Sequence, residues 1–290
     1  MQVSEGKVKR FQDEILTWYN EHKRDLPWRH TRDPYRILLS EIMAQQTQIS
    51  RVIPKYEAWL EQFPTIHHLA NASVSEVLTY WHGLGYNRRA LNLKRSAEKI
   101  VREYEGVFPK TEKELLELPG IGRYTARAIL CFAFDEQITV VDTNVRKVIL
   151  TQFFKSDNSK VQILQRSDTV DHNSEKSKID EKIIEEMAEQ LLPMGKAYDW
   201  NQALMDYSSA VLKKEKIPIP KQSKYIGSHR YYRSKVLKVL LEKKKVKIDE
   251  IGELIKNGYT EKEKEWLQKL LEELTKEGFI VVEKETVRLI

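Results

Sequence analysis

The sequence predicts an all-α fold that closes with a small winged-helix-like module. Helical periodicity dominates Val8 to Asn20, Tyr35 to Phe63, Ser75 to Tyr80, Arg89 to Tyr104 and Lys113 to Leu118, while strand signals are almost absent until the end. Pro27, Pro54, Pro64, Pro109 and Pro119 fall at or near the ends of these segments, as in short helices packed as an orthogonal bundle.

The next element is a turn between helices. Pro119 breaks the preceding helix, Gly120 and Gly122 permit positive φ in a tight turn, and Thr125 to Phe134 restarts as an apolar helix. This is a helix-hairpin-helix, whose backbone N–H groups can hold a phosphate oxygen at a helix N-terminus without reading any base. A glycine pair alone would merely link two packed helices. Arg123 and Arg127, and a second turn, Gly83-Leu84-Gly85-Tyr86, opening a helix with Arg88 and Arg89, favour the phosphate reading.

From Lys155 to Lys182 the chain turns polar and reads as a long loop with one short amphipathic piece, Val161 to Leu164. Helices at Ile183 to Leu192 and Asn201 to Leu212 follow. Residues 213–228, with Pro218, Pro220 and Gly227, form a basic linker. Tyr231 to Leu241, Ile248 to Lys256 and Glu261 to Lys276 then read as helices, and Phe279 to Val282 with Thr286 to Ile290 as a β-hairpin. The third helix of this module carries more acid than base, which disfavours a groove-reading role. Basic residues concentrate from Lys213 to Lys247, either as a solvated linker or as a strip that tracks phosphates.

Composition sets outer bounds. A chain of 290 residues has room for one large or two modest domains, and 41% apolar content supports a real core. Net charge +6, with pI near 9.0, suits a polyanionic partner. The single cysteine, Cys131, reads as a small core residue and excludes a disulfide within the chain. The start lacks a signal-like apolar stretch, and no apolar run is long enough for a membrane span, so an intracellular, cytoplasmic protein with no membrane partner is expected.

Two carboxyls carry candidate chemistry. On a helix, Glu41 has Ile37, Leu38, Ala44 and Gln45 as neighbours, so its carboxyl sits in a partly dry place where its pKa rises, as a general acid requires. A salt bridge to Arg29 or Arg36 is the competing role. Asp142 follows an extended apolar run and precedes a helix, where it acts as an N-cap, a carboxylate aimed into a cleft, or both.

The motifs Arg24-Asp25-Leu26-Pro27-Trp28-Arg29, Ser40 to Gln48, Gly83 to Tyr86, Leu118 to Ala126, Val141 to Val145 and Asn201 to Asp206 together resemble the MutY-type adenine DNA glycosylases of the endonuclease III, or helix-hairpin-helix, superfamily. The likeness runs over roughly residues 8 to 212. It implies a two-lobed helix-hairpin-helix DNA glycosylase core at 1–212, with a six-helix lobe at about 24–136 and a second lobe at 1–23 plus 137–212, ahead of the 213–228 linker and the winged-helix-like domain at 229–290.

The resemblance also implies a function: excision of adenine mispaired with 8-oxoguanine or guanine in double-stranded DNA, after flipping. It makes Glu41 the proton donor to adenine and Asp142 the stabiliser of positive charge on the sugar, with Asn144 as a hydrogen-bond donor to Asp142. Tyr124 stands where strand-cleaving members carry a lysine, so a monofunctional enzyme is expected. Trp28, Arg29 and Asp206 match positions around the base pocket, Asp206 as an acceptor for the exocyclic amine. Gln45, Gln46 and Tyr86 match residues that wedge into the duplex, with Arg88, Gly120, Gly122, Arg123 and Thr125 at the DNA backbone. Leu116, Leu118 and Ile121 offer carbonyls to a structural monovalent cation.

Two departures qualify the likeness. The family's four-cysteine iron-sulfur set cannot exist with Cys131 alone, and Leu212 stands where its first ligand would be, so a clusterless form is expected; the protein is also expected to be a monomer. The large C-terminal domain that recognises 8-oxoguanine is replaced by a shorter module. A related branch that removes thymine or uracil opposite guanine, and a non-catalytic mismatch-binding protein, remain alternatives; the Gln45-Gln46-Thr47-Gln48 run favours adenine, and the two retained carboxyls favour catalysis.

Overall fold

The computed structural model describes residues 3–154, 175–214 and 224–290, and helices are numbered over these residues. It is predominantly helical, with one small sheet near the C-terminus. The amphipathic piece expected at Val161 to Leu164 and most of the basic linker lie outside the described residues. Among the described residues no helix is long and apolar enough to cross a membrane.

The chain divides into two compact units. The first comprises Met1–Glu41, Lys110–Glu117 and Ile121–Lys221. Its α1 (Glu5–His22) buries Phe11, Ile15 and Tyr19, spaced four apart so that they share one face. These meet Val145, Val148 and Ile149 of α9 (Thr143–Ile149), Ile184, Met187 and Leu191 of α10 (Glu175–Leu191), and Trp200, Ala203, Leu204 and Tyr207 of α11 (Ala197–Ala210). A second cluster joins Ile37 of α2 (Pro34–Ala44) to Ala128, Cys131 and Phe132 of α8 (Arg123–Phe134) and to Val140 and Ala197. Cys131 is buried there, as expected.

The second unit comprises Ile42–Pro109, Leu118–Gly120 and Gln222–Ile290. Helices α3 (Ile49–Gln62), α4 (Ile66–Asn71), α5 (Val74–Trp81) and α6 (Arg88–Tyr104) pack around Trp59, Phe63 and Trp81, whose rings meet edge to face. The C-terminal module adds α12 (His229–Lys243), β1 (Lys245–Lys247), α13 (Ile248–Ile255), α14 (Lys264–Lys276), β2 (Ile280–Glu283) and β3 (Thr286–Leu289). Its sheet runs β1-β3-β2, all antiparallel.

Several expectations change. The packing joins the 229–290 module to 42–109 rather than isolating it. Arg95 of α6 donates to the Glu277 carbonyl at 2.6 Å, and a Cβ added at Gly278 would lie 2.6 Å from the same guanidinium. The lobe expected at 24–136 likewise gives α8 and the start of α2 to the first unit, because Ile37, Cys131 and Phe132 share one apolar cluster. The loop expected to reach Lys182 gives way to α10 at Glu175. Strand β1 falls inside the basic run, where Val246 is its one buried residue and left no period to read. The continuous pattern Tyr35 to Phe63 is two helices, since Gln46 takes a left-handed φ of 54°. Pro54 lies inside α3 rather than at a helix end and forgoes one backbone bond.

Candidate active site

Glu41, on α2, and Tyr124, on α8, meet within the first unit. The Tyr124 hydroxyl donates to Glu41 Oε2 at 2.6 Å. Burial pushes the Glu41 carboxyl up to about 7, the Tyr124 bond pulls the other way, and the nearby charge of Asp142 adds to the rise. The residue keeps partial exposure, so a water or ligand can reach it. Burial and Glu41's charge hold Tyr124 well above its ordinary range, so it remains a donor. The competing salt bridges are taken elsewhere: Arg29 pairs with Asp206 at 2.7 Å and Arg36 lies 3.7 Å from Asp33.

Asp142 is both cap and neighbour. It N-caps α9, with Oδ1 accepting the Val145 N–H at 2.7 Å and Oδ2 accepting the Asn144 side-chain amide at 2.7 Å. Burial raises its pKa, and these donors oppose the rise. Both oxygens are engaged as acceptors, so the carboxyl is fixed in orientation and arranged for its ionised form.

Trp28 and Arg29 sit on the short helical turn Pro27–Arg29, and Trp28 is buried. Arg29 clamps Asp206 of α11 through two bonds of 2.7 and 2.8 Å. Arg24 adds a third, from Nε to Oδ1 at 2.6 Å, and its backbone N–H a fourth at 3.1 Å. Burial alone would raise the Asp206 carboxyl, but the Arg29 bonds and charge outweigh it and hold it below the usual carboxylate range. With 1% of its side chain exposed and both oxygens taken, Asp206 is a brace for Arg29. This corrects the expectation of an open acceptor in the base pocket. Arg24 gave no pattern that predicts this role.

The hairpin divides its glycines. Gly120 has φ +78°, and a Cβ there would strike the Asn92 side chain at 2.7 Å. Gly122 was expected to share the positive φ of Gly120 and does not; it is the extended N-cap of α8, with φ −96° and open space around it. Thr125 is buried and out of reach of a duplex. Arg123 is bonded to Glu185 at 2.5 Å and faces Glu112 with 52% of its side chain exposed, while Arg127 lies between Glu112 and Thr139 and does not stand free for a phosphate. Gly122, Thr125 and Arg127 thus depart from the expected phosphate contacts. Leu116, at the end of α7 (Glu112–Leu116), is exposed, whereas Leu118 and Ile121 are buried.

The second unit holds the residues expected to wedge into a duplex. Gln46 and Tyr86 are exposed at left-handed φ of 54° and 49° and Gln45 is half-buried; Arg88 keeps 70% of its side chain exposed. Arg89, read in the sequence only as a basic residue after a glycine turn, organises them. Its guanidinium donates to the carbonyls of Ile42 and Gln45 at 2.6 Å and of Leu84 and Gly85 at 3.2 Å. Burial without a carboxylate partner lowers it to about 10. With the Met43 carbonyl and the Thr47 hydroxyl, six acceptors surround this one arginine, a tertiary fact that no local pattern displays.

Residues 39–170 match the family described as HhH-GPD superfamily base excision DNA repair protein. An adenine DNA glycosylase of Mycolicibacterium smegmatis is 50% identical over 137 residues, 47% of this chain and 47% of that protein. A thymine/uracil-DNA glycosylase of Methanothermobacter thermautotrophicus is 34% identical over 206 residues, 71% of this chain and 86% of that protein. The solved structure of a thermostable thymine-DNA glycosylase superposes with TM-score 0.62 at 33% identity, over 73% of this chain and 90% of that one. The chain thus spans about half the length of the adenine glycosylase it matches.

Proposed function

The chain belongs to the HhH-GPD superfamily of base excision DNA repair proteins, and from that premise we propose that it is a monofunctional DNA glycosylase that removes adenine mispaired with 8-oxoguanine or guanine. The observation that carries this reading is the placement of the Glu41 carboxyl, which accepts the Tyr124 hydroxyl at 2.6 Å in a site whose burial, with the charge of Asp142, raises it to about 7. A carboxyl that holds its proton near neutral pH can hand it to adenine, which leaves poorly as an anion. Such a positioned acid contributes ~10²–10⁴-fold.

In the proposed cycle Glu41 protonates adenine N7, the bond from C1′ to N9 breaks, and adenine departs neutral. Positive charge then develops on the deoxyribose. A carboxylate about 4 Å away in an effective dielectric near 20 offers ~4 kcal/mol, about three powers of ten in rate, and Asp142 is the group to supply it. Water attacks C1′ and gives its proton back to Glu41. Tyr124 has no amine, so no imine forms and the strand stays intact; borohydride should trap no adduct.

The substrate is double-stranded DNA inside the cell, bound by a monomer. The one cysteine of this chain, buried with its thiol pushed up to about 12, cannot supply a four-thiolate cluster site, which supports the reading of a clusterless enzyme. The same proposal gives it a structural monovalent cation at the Leu116, Leu118 and Ile121 carbonyls.

A second reading, excision of thymine or uracil opposite guanine, draws support from the match over 86% of a thymine/uracil enzyme. One assay decides. Duplexes bearing A:8-oxoG, A:G, T:G or U:G are incubated with the protein and treated with alkali. Breaks at adenine support the proposal, breaks at T or U select the alternative, and binding without breaks leaves only a mismatch-binding protein.

A further inference from the structure

The second unit contains a cleft of 820 Å³ whose one wall is the Gln45-Gln46 and Tyr86-Arg88 loops and whose other wall is the start of α12 with the residues before it. We infer that this cleft is a binding site for a single unpaired nucleotide of the DNA, with Tyr225 and Arg230 of the C-terminal module as its distal wall. The inference rests on the reading that the chain acts on DNA.

Its lining has the chemistry of a nucleotide. Tyr86 and Tyr225 leave 43% and 48% of their surfaces exposed, an unusual outlay of aromatic ring unless something stacks on it. The Arg230 guanidinium lies 5.8 Å from the Tyr225 ring centroid, and Arg89 lies 5.5 Å from that of Tyr86, so each ring is backed by a cation. Gln45 and Gln46 bring amides that can donate to and accept from a base edge.

Charge and strain point the same way. The two acids of the cleft are already engaged: Glu273 receives His229 at 2.6 Å and Arg233 at 3.0 Å, and Glu277 receives Arg233 at 2.7 Å. Arg88 reaches Glu277 only at 3.9 Å and keeps most of its side chain in solvent, which leaves it available to a phosphate. Gln46 and Tyr86 both hold left-handed backbones that side chains rarely adopt, pinned by Arg89, and they face this cleft.

The test uses the full chain and a fluorescein-labelled duplex with guanine opposite a synthetic abasic site, which has one unpaired base and no bond to cleave. The same duplex fully paired is the control. Tyr225→Ala and Arg230→Ala are expected to weaken binding of the unpaired probe roughly tenfold, the effect of losing one stacked base, while leaving the paired duplex unchanged. Tyr225→Phe keeps the ring and is expected to bind as the parent. Equal losses on both duplexes, no loss, or a Phe variant as weak as Ala would each overturn the inference. Excision is measured separately: a parent protein that removes no base while the binding contrast survives would defeat the glycosylase reading and leave this site standing.

Discussion

Tyr124 donates its hydroxyl to Glu41 at 2.6 Å, and this bond restrains a carboxyl that burial drives upward. A donor to a carboxylate favours the ionised form, so its removal raises the pKa further. Excision that needs protonated Glu41 is expected to fall as pH rises through about 7. In Tyr124→Phe that fall should move to higher pH by about one unit, the worth of one charge-assisted bond. Single-turnover rates across pH check this; an unmoved limb would mean that Tyr124 does not restrain the acid.

Glu41 also makes the site a cost to stability. Its folded pKa lies above its ordinary value of 4.5, so its favourable contribution is complete below that pH and is lost as pH rises to about 7. The loss is at most about 3 kcal/mol, trimmed by the residue's partial exposure. Glu41→Gln should therefore abolish excision yet melt higher than the parent at pH 8, with the gap closing toward pH 4.5. Thermal denaturation at several pH values measures it, and an equal gap at all pH values would refute the linkage.

Asp142 has two duties that substitution can separate. Asp142→Asn keeps an oxygen for the Val145 N–H and so keeps the α9 cap, but it removes the negative charge. Excision is expected to disappear while mismatch binding holds; the new amide can no longer accept from Asn144, so a small loss of melting temperature is expected as well. Asp142→Ala loses the cap as well and should cost about 1 kcal/mol more. Retained single-turnover excision in the Asn variant would exclude Asp142 from catalysis.

Much of this site was legible because its residues sit in local motifs. Asp142 could be read as a cap from the extended run before it, and Glu41 as a dry carboxyl from its apolar neighbours, since both signals lie within one helical turn. Asp206 was misread because its partners, Arg24 and Arg29, are more than 170 residues away, and nothing local tells an open carboxylate from a clamped one. Arg89 and the break at Gln46 were hidden for the same reason: a guanidinium from α6 binds the Ile42 and Met43 carbonyls in the last turn of α2 and the Gln45 carbonyl just beyond it. The edge strand β1 is only three residues long, so one buried valine between two exposed lysines gave no run in which an alternation could be read.

The Arg29 and Asp206 pair should behave as a buried ion pair, which is costly to break and weakly stabilising to keep. Asp206→Ala strands a guanidinium with 8% of its side chain exposed and is expected to cost about 3–5 kcal/mol. Since the Asp206 pKa is held below its ordinary value, the stability it brings is present above that value and is lost as pH falls through the folded one. Replacing both partners together, as Arg29→Met with Asp206→Leu, should recover part of the loss. Urea denaturation of the two single variants and the pair gives the coupling directly, and strictly additive losses would show that the two groups do not act as a pair.

The two hairpin glycines should answer differently to the same methyl group. Gly120→Ala places a side chain at φ +78° and drives its Cβ to 2.7 Å from the Asn92 side chain, so the fold must give way, at about 1–3 kcal/mol for the backbone strain alone. Gly122→Ala meets no atom within 4 Å and keeps an ordinary φ, so the melting temperature should barely move. Its methyl would nevertheless stand over the open N-terminus of α8, where a phosphate oxygen would approach. If that turn holds DNA, Gly122→Ala weakens duplex binding on mismatched and paired DNA alike, because the contact reads no base. A Gly122→Ala protein with full affinity and full stability would assign the turn to chain geometry alone.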